Sequence, residues 1–280
     1  MEITGNSISE YTPGALIKVK AMCLSIAQIL GDTIKDDAVI VGGLVPTLLY
    51  QDVEPVWEYG GHAGTHDMDL ALDLVILEEE RYENVAECLR RSGFTPDAND
   101  DGNLTRQRWR SSSGATIDFL MPPVPPKNKV GNVQSLTSTF GAVTMKGLDL
   151  ALRHRQLIPL AGKDIEGRTV EREVPVCPAE VFVALKAIAI ACRDKAKDAY
   201  DIHYTLLHDS RRAHGLGEAL SRLAPHDAIS AAIESLQRDY QNIDGRGPSD
   251  VCKFLGKRND LDLAGQALAN VLDFLRPFAS

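Results

Sequence analysis

Paired cysteines are missing from this sequence. Its five cysteines, Cys23, Cys88, Cys177, Cys192 and Cys252, are odd in number and scattered, with no C-x-x-C pair. That argues against a disulfide framework and a structural zinc site, and points to free thiols in a reducing compartment. No secretory leader is expected either: Met1 to Tyr11 is polar and acidic, without a basic stretch running into an apolar one. No apolar run approaches the ~20 residues of a membrane span. The expectation is a cytoplasmic protein. Basic charge is in deficit, with 30 Lys and Arg against 39 Asp and Glu, a net charge of −9. Such a chain binds nucleic acid or anionic membrane poorly unless it carries a local basic patch. Internal repeats and low-complexity tracts are absent.

What is present is an ordinary globular composition, 44% hydrophobic and 25% charged over 280 residues, long enough for one large domain or two modest ones. Residues 14–30 place Leu16, Ile17, Val19, Met22, Ile26 and Leu30 at helical spacing. Ala38-Val39-Ile40-Val41 reads as a buried strand running into a Gly42-Gly43 turn, followed by a short helix from Leu44 to Tyr50. Residues 51–66 form a polar, Gly-rich loop, expected to be mobile, that carries His62 and His66. Met68 to Ile76 reads as a strand, Glu79 to Ser92 as an amphipathic helix stopped by Gly93, and Arg106–Arg110 and Ala115–Leu120 as two further strands. Pro122 to Pro126 breaks the pattern. From Pro178 onward helices follow one another, near 178–192, 194–208, 213–222, 226–240 and 262–276. The expected division is therefore a mixed strand–helix lobe over residues 1–170 and a helical lobe over 171–280.

Four features carry chemistry. Asp67 and Asp69, in Thr65-His66-Asp67-Met68-Asp69-Leu70, project to one side of a strand. Two carboxylates so held repel unless a cation sits between them, and hard oxygen ligands select Mg²⁺ or Mn²⁺. Gly42-Gly43 lets backbone approach a ligand closely and offers N–H groups to phosphate. Asp118 interrupts an apolar strand, either as a general base or second-metal ligand, or as the ion-pair partner of Arg108 or Arg110. Lys186, Arg193, Lys195, Lys197, Asp198 and Asp201 form a basic block with two acids, suited to a triphosphate or to a solvated charged helix. His62 and His66 are poor Mg²⁺ ligands. Trp57, Tyr59 and Trp109 are read as packing or loop anchors ahead of base stacking.

Taken in this order, the features resemble the nucleotidyltransferase superfamily that includes DNA polymerase β, in which a glycine pair, a D-x-D and a later third acid lie on successive strands. More narrowly, residues 38–205 resemble the AbiEii/AbiGii toxin group, whose helical motif is K-x-x-K-x-x-x-R-x-K-x-R-D-x-x-D. Lys186, Arg193, Lys195, Lys197, Asp198 and Asp201 match it; Ala189 stands at the second lysine, and Gly43 where the group has serine. Asp250-Val251-Cys252-Lys253 fits its later [DNST]-x-x-K. The resemblance implies an α/β nucleotidyltransferase lobe with a mixed sheet followed by an all-helical lobe. It implies transfer of a nucleotide from an NTP to an acceptor hydroxyl: Asp67, Asp69 and Asp118 hold Mg²⁺ or Mn²⁺, and Gly42, Gly43, Lys186, Arg193, Lys197, Asp198 and Asp201 bind the nucleotide. RNA such as the 3′ end of tRNA, or a protein, is the implied acceptor, and a cognate antitoxin the implied partner. The competing readings are a D-x-D glycosyltransferase and an inactive nucleotidyltransferase fold that binds a partner.

Overall fold

The computed structural model describes residues 4–31, 36–51, 61–73, 79–99, 101–123 and 129–279. Trp57, Tyr59 and the 74–76 end of the expected strand lie outside them. The chain forms two compact units. One, of residues 13–48 and 64–178, holds the sheet; the other, of residues 1–12, 49–63 and 179–280, holds a run of helices. The strand Thr169–Val176 runs across residue 170, and the sheet unit continues to Pro178.

In the sheet unit the strands are β1 (Ala38–Val41), β2 (Asp67–Leu72), β3 (Thr95–Ala98), β4 (Leu104–Arg110), β5 (Thr116–Met121), β6 (Val133–Ser135), β7 (Gly141–Thr144), β8 (Gln156–Lys163) and β9 (Thr169–Val176). They make one mixed sheet in the order β3-β4-β5-β2-β1-β9-β8, with the β6–β7 hairpin attached through β7 to β5. Central β1 is antiparallel to β2 and parallel to β9, and all four of its residues are buried. A strand covered on both faces and paired on both edges needs such an unbroken apolar run. β2 differs. Its second half is buried throughout, while its first half alternates, with Met68 inward and Asp67 and Asp69 toward the half-exposed face.

Helix α1 (Pro13–Leu30) corrects one expectation. By length and composition it is apolar enough for a membrane span. Within the sheet unit it packs against β8 and β9, burying Val19, Met22, Leu24 and Ile26. The unit also contains α2 (Val45–Leu49), α3 (Glu79–Arg91) and α4 (Leu148–His154).

The helical unit contains α5 (Ala179–Cys192), α6 (Ala196–His208), α7 (Arg212–Ser221), α8 (Asp227–Asp239), α9 (Arg246–Phe254) and α10 (Leu261–Leu275). Phe182, Tyr200, Tyr204, Phe254 and Phe274 fill its core. The N-terminal segment is pinned to it by Asn6, whose Oδ1 accepts from Ala196 N at 3.2 Å and Lys253 Nζ at 2.8 Å. Helix α9 is absent from the sequence reading because Gly245, Gly247 and Pro248 suggest a turn. Pro248 sits in the first helical turn, where its missing N–H costs nothing. Gly247 lies against Tyr240, where a Cβ would meet the ring at 2.2 Å.

Candidate active site

The acids gather on one face of the sheet unit. β2 and β5 run parallel with Asp69 and Asp118 as direct Cα partners, and Asp67 lies two residues earlier on the same face. The strand alternation that makes Met68, Ile117 and Phe119 core residues turns all three carboxylates the other way. Asp67 Oδ1 accepts from Thr65 Oγ1 at 2.8 Å. Asp69 is set by β1: its Cα partner is Val41, and the chain leaves β1 at Gly42 with φ +71°. A Cβ at residue 42 would lie 1.8 Å from Asp69 Oδ2. The glycine thus meets two demands, a left-handed backbone and room for a carboxylate at backbone distance. It opens a 3-10 turn, Gly42–Leu44, in which Gly43 is buried.

Asp118 is paired as one sequence reading had it. Arg108, its cross-strand partner on β4, donates from Nε to Oδ1 at 2.8 Å and from Nη2 to Oδ2 at 2.5 Å. The same Nη2 lies 3.8 Å from Asp67 Oδ2. Arg110 takes Asp97 instead, through two bonds of 2.9 Å. Burial pushes the Asp118 carboxyl above the usual carboxylate range, against the pull of Arg108 and with a further push from the charge of Asp67. Its bond to Asp118 holds the Arg108 guanidinium above its ordinary value. Trp109 is fully buried near Phe140, as a core residue.

Among the described residues, no three His, Cys, Asp or Glu side chains are drawn together as a metal's ligand shell. The donor chemistry nevertheless fits a divalent cation. Three carboxylates supply only hard oxygens, and the missing Cβ at residue 42 leaves the Asp69 oxygen room against the backbone.

The basic block lies in the helical unit and is a buried ion network. Lys186 Nζ reaches Asp198 Oδ1 at 2.8 Å and Asp201 Oδ2 at 2.7 Å. Lys197 Nζ reaches Asp201 Oδ1 at 2.7 Å, and Arg193 grips Asp198 with two bonds, of 2.7 and 2.8 Å. Burial alone would raise both acids; Lys186 and Arg193 outweigh it at Asp198, holding it at about 2, and Lys186 and Lys197 outweigh it at Asp201, which is also lowered. Lys186 is raised by Asp198 and Asp201 against its burial, whereas burial wins at Lys197 and lowers it. Arg193 differs from the lysines in reaching solvent, with its side chain 46% exposed against 8% for each lysine.

His62 completes this network, and sequence reasoning missed it. Far from riding on a mobile loop, it is buried, with Nε2 2.9 Å from Asp201 Oδ1 and its ring stacked on Tyr200. Burial lowers it to about 4, so it is neutral near pH 7. Tyr200 Oη accepts from Ala63 N at 3.0 Å, and Tyr50 Oη donates to Asp209 at 3.1 Å, so both described ends of the 49–63 segment are tied to α6 and its C-cap. The separation of 139 positions from His62 to Asp201 leaves no local signal that would pair them.

A family model described as nucleotidyltransferase matches residues 25–233, from α1 through most of α8. No curated protein matches the chain.

Proposed function

The chain belongs to the nucleotidyltransferase family whose model spans most of it, and from that premise we propose that it transfers an NMP from an NTP to an acceptor hydroxyl at the Asp67–Asp69–Asp118 face. The observation that carries this reading is the seating of Asp69, beside Asp118 in register and against a glycine that leaves it no Cβ to avoid. A nucleotide-sugar glycosyltransferase built on D-x-D gives Gly42 no such task.

In the proposed reaction the acceptor oxygen forms a bond to the α-phosphorus and loses its proton, while the bond from that phosphorus to the bridging oxygen breaks and pyrophosphate leaves. Asp67, Asp69 and Asp118 would hold Mg²⁺ or Mn²⁺, which supplies positive charge to the phosphate and acidifies a bound hydroxyl. Asp118, whose carboxyl is raised by burial, is the acid we assign as proton acceptor. The Gly42–Leu44 turn presents backbone N–H groups to phosphate oxygens.

The basic block keeps the nucleotide-binding role that the resemblance implies. Arg193, the member that reaches solvent, is the one we assign to phosphate; Lys186, Lys197, Asp198 and Asp201 pair within the helical unit. An RNA acceptor, such as the 3′ end of tRNA, needs local basic charge in a chain of net charge −9. Arg106, Arg108 and Arg110 share the face of β4 that carries Asp118, but Arg108 and Arg110 are engaged with Asp118 and Asp97, so an RNA would have to compete for them. The AbiEii/AbiGii resemblance extends the proposal to a toxin restrained by a cognate antitoxin, working in the cytoplasm where NTPs are supplied.

The test is incubation with each α-³²P-labelled NTP, Mg²⁺ and either total RNA or protein. Label on one acceptor class with wild type and none with Asp69→Asn supports the reading. No label with any NTP, or equal label from both proteins, overturns it.

A further inference from the structure

Arg108 has an unusual position for a strand residue that only holds a sheet together. The backbones of β4 and β5 already pair from Arg108 to Arg110, so the ion pair is not needed to join them. Its guanidinium engages both oxygens of Asp118 and leans toward Asp67. It also lies on the solvent side: the Arg108 side chain is 41% exposed, against 13% for Asp118. A cation that shares Asp118 with Asp67 and Asp69 therefore meets another cation already seated there, and like charges at such range repel. The guanidinium has an open side into which to withdraw, and its planar fork matches phosphate as well as it matches carboxylate.

We propose that Arg108 is an exchangeable counter-cation of the acidic face: it sits on Asp118 when no divalent cation is bound, gives way when one binds, and is then free to take a phosphate oxygen of the nucleotide. This rests on the reading of Asp67, Asp69 and Asp118 as a metal-binding face. It makes Arg108 a positioning residue that couples the two ligands, since whatever draws the guanidinium off Asp118 favours both. In the ligand-free protein its charge offsets part of the repulsion between Asp118 and Asp67.

The test is Mn²⁺ titration of the full chain, followed by the paramagnetic resonance signal of free Mn²⁺, for wild type, Arg108→Gln, Arg108→Lys and Asp69→Asn. Inorganic triphosphate is then titrated at saturating Mn²⁺. Arg108→Gln is expected to bind Mn²⁺ about tenfold tighter than wild type and triphosphate about tenfold weaker, with Arg108→Lys between. A fixed arginine would also raise Mn²⁺ affinity by its charge when removed, so the exchange is read from both shifts together, and unchanged triphosphate affinity at saturating Mn²⁺ overturns it. Unchanged or weaker Mn²⁺ binding by Arg108→Gln, with binding abolished in Asp69→Asn, overturns the exchange and leaves the metal face standing. Wild-type Mn²⁺ binding by Asp69→Asn removes the metal face, and the role of Arg108 with it. If the glutamine variant is unfolded at the assay temperature, the lysine variant decides by the same criterion.

Discussion

Gly42 and Asp69 are in contact across the β1–β2 pair, so close that a methyl group on residue 42 would lie 1.8 Å from the Asp69 carboxylate oxygen. The smallest possible side-chain addition is therefore a test of the site. In Gly42→Ala the new Cβ must displace either Asp69 or the turn, and alanine must also adopt a φ of +71°. Left-handed strain for a non-glycine residue is worth about 1–3 kcal/mol. We expect urea denaturation to show a loss of that size, and nucleotide transfer to vanish even where the variant is fully folded. Retained activity would mean that Asp69 does not need its seat.

This contact was half legible in the sequence. Ala38–Val41, the glycine pair and the D-x-D announce themselves as strand, turn and strand. Nothing in the residues fixes the antiparallel register that sets Val41 opposite Asp69. Arg108 and Arg110 are equivalent candidates for Asp118 until the register chooses, and it gives Asp118 to Arg108 and Asp97 to Arg110. Three of the five strands outside the sequence expectation have a plain physical reason. β3, β8 and β9 contain Pro96, Pro159 and Pro175, which ordinarily demote a strand. β8 stands at the sheet's edge, where an absent donor is tolerated. A signal for the β8–β9 hairpin was present, since Thr169 to Val174 alternates exposed and inward positions after the Asp164–Gly167 turn. The long, strongly patterned helices of the second unit were read with ends within a few residues.

Asp69→Asn tests whether the acids are kept for function at the expense of stability. Removing one negative charge from a cluster of three relieves repulsion in the ligand-free protein. Asparagine is nearly isosteric, so the seat against Gly42 is retained. The expected result is an unchanged or slightly higher melting temperature, a ligand-free stability change within about 0.5 kcal/mol, and loss of transfer. A loss of several kcal/mol would show instead that Asp69 is a structural acid whose partner the fold requires.

Lys186 sits between two buried carboxylates, 2.8 Å from Asp198 and 2.7 Å from Asp201. Truncating one partner of a buried ion pair leaves charge uncompensated and costs about 3–5 kcal/mol. Lys186→Ala is therefore expected to lower the urea midpoint strongly. At temperatures where it stays folded, any loss of nucleotide binding should be smaller than that of Arg193→Ala, whose guanidinium reaches solvent. A midpoint shift worth less than about 0.5 kcal/mol would refute the network's structural role and return Lys186 to the triphosphate.

The last prediction follows the same network through pH. His62 and His203 are both lowered by burial to about 4, from an ordinary value near 6.5. Between those values the unfolded chain binds more protons than the folded one, so stability falls as pH falls. The contribution of each histidine is complete above about 6.5 and is lost progressively down to about 4. Asp198, held at about 2, behaves as a depressed acid: its contribution is present above the ordinary carboxylate range and drains away from about 4 toward 2. Stability should thus fall as pH drops from 6.5 to 4, as His62, His203 and half-buried His208, all lowered by burial, take up protons on unfolding, and keep falling below 4. His62→Gln, which keeps a hydrogen-bonding group beside Asp201 without a titrating ring, should remove about one proton from the upper slope and leave the lower segment in place. Equal slopes for wild type and His62→Gln between pH 4 and 6.5 would show that His62 does not titrate with folding, and that its 2.9 Å contact with Asp201 carries no pH dependence.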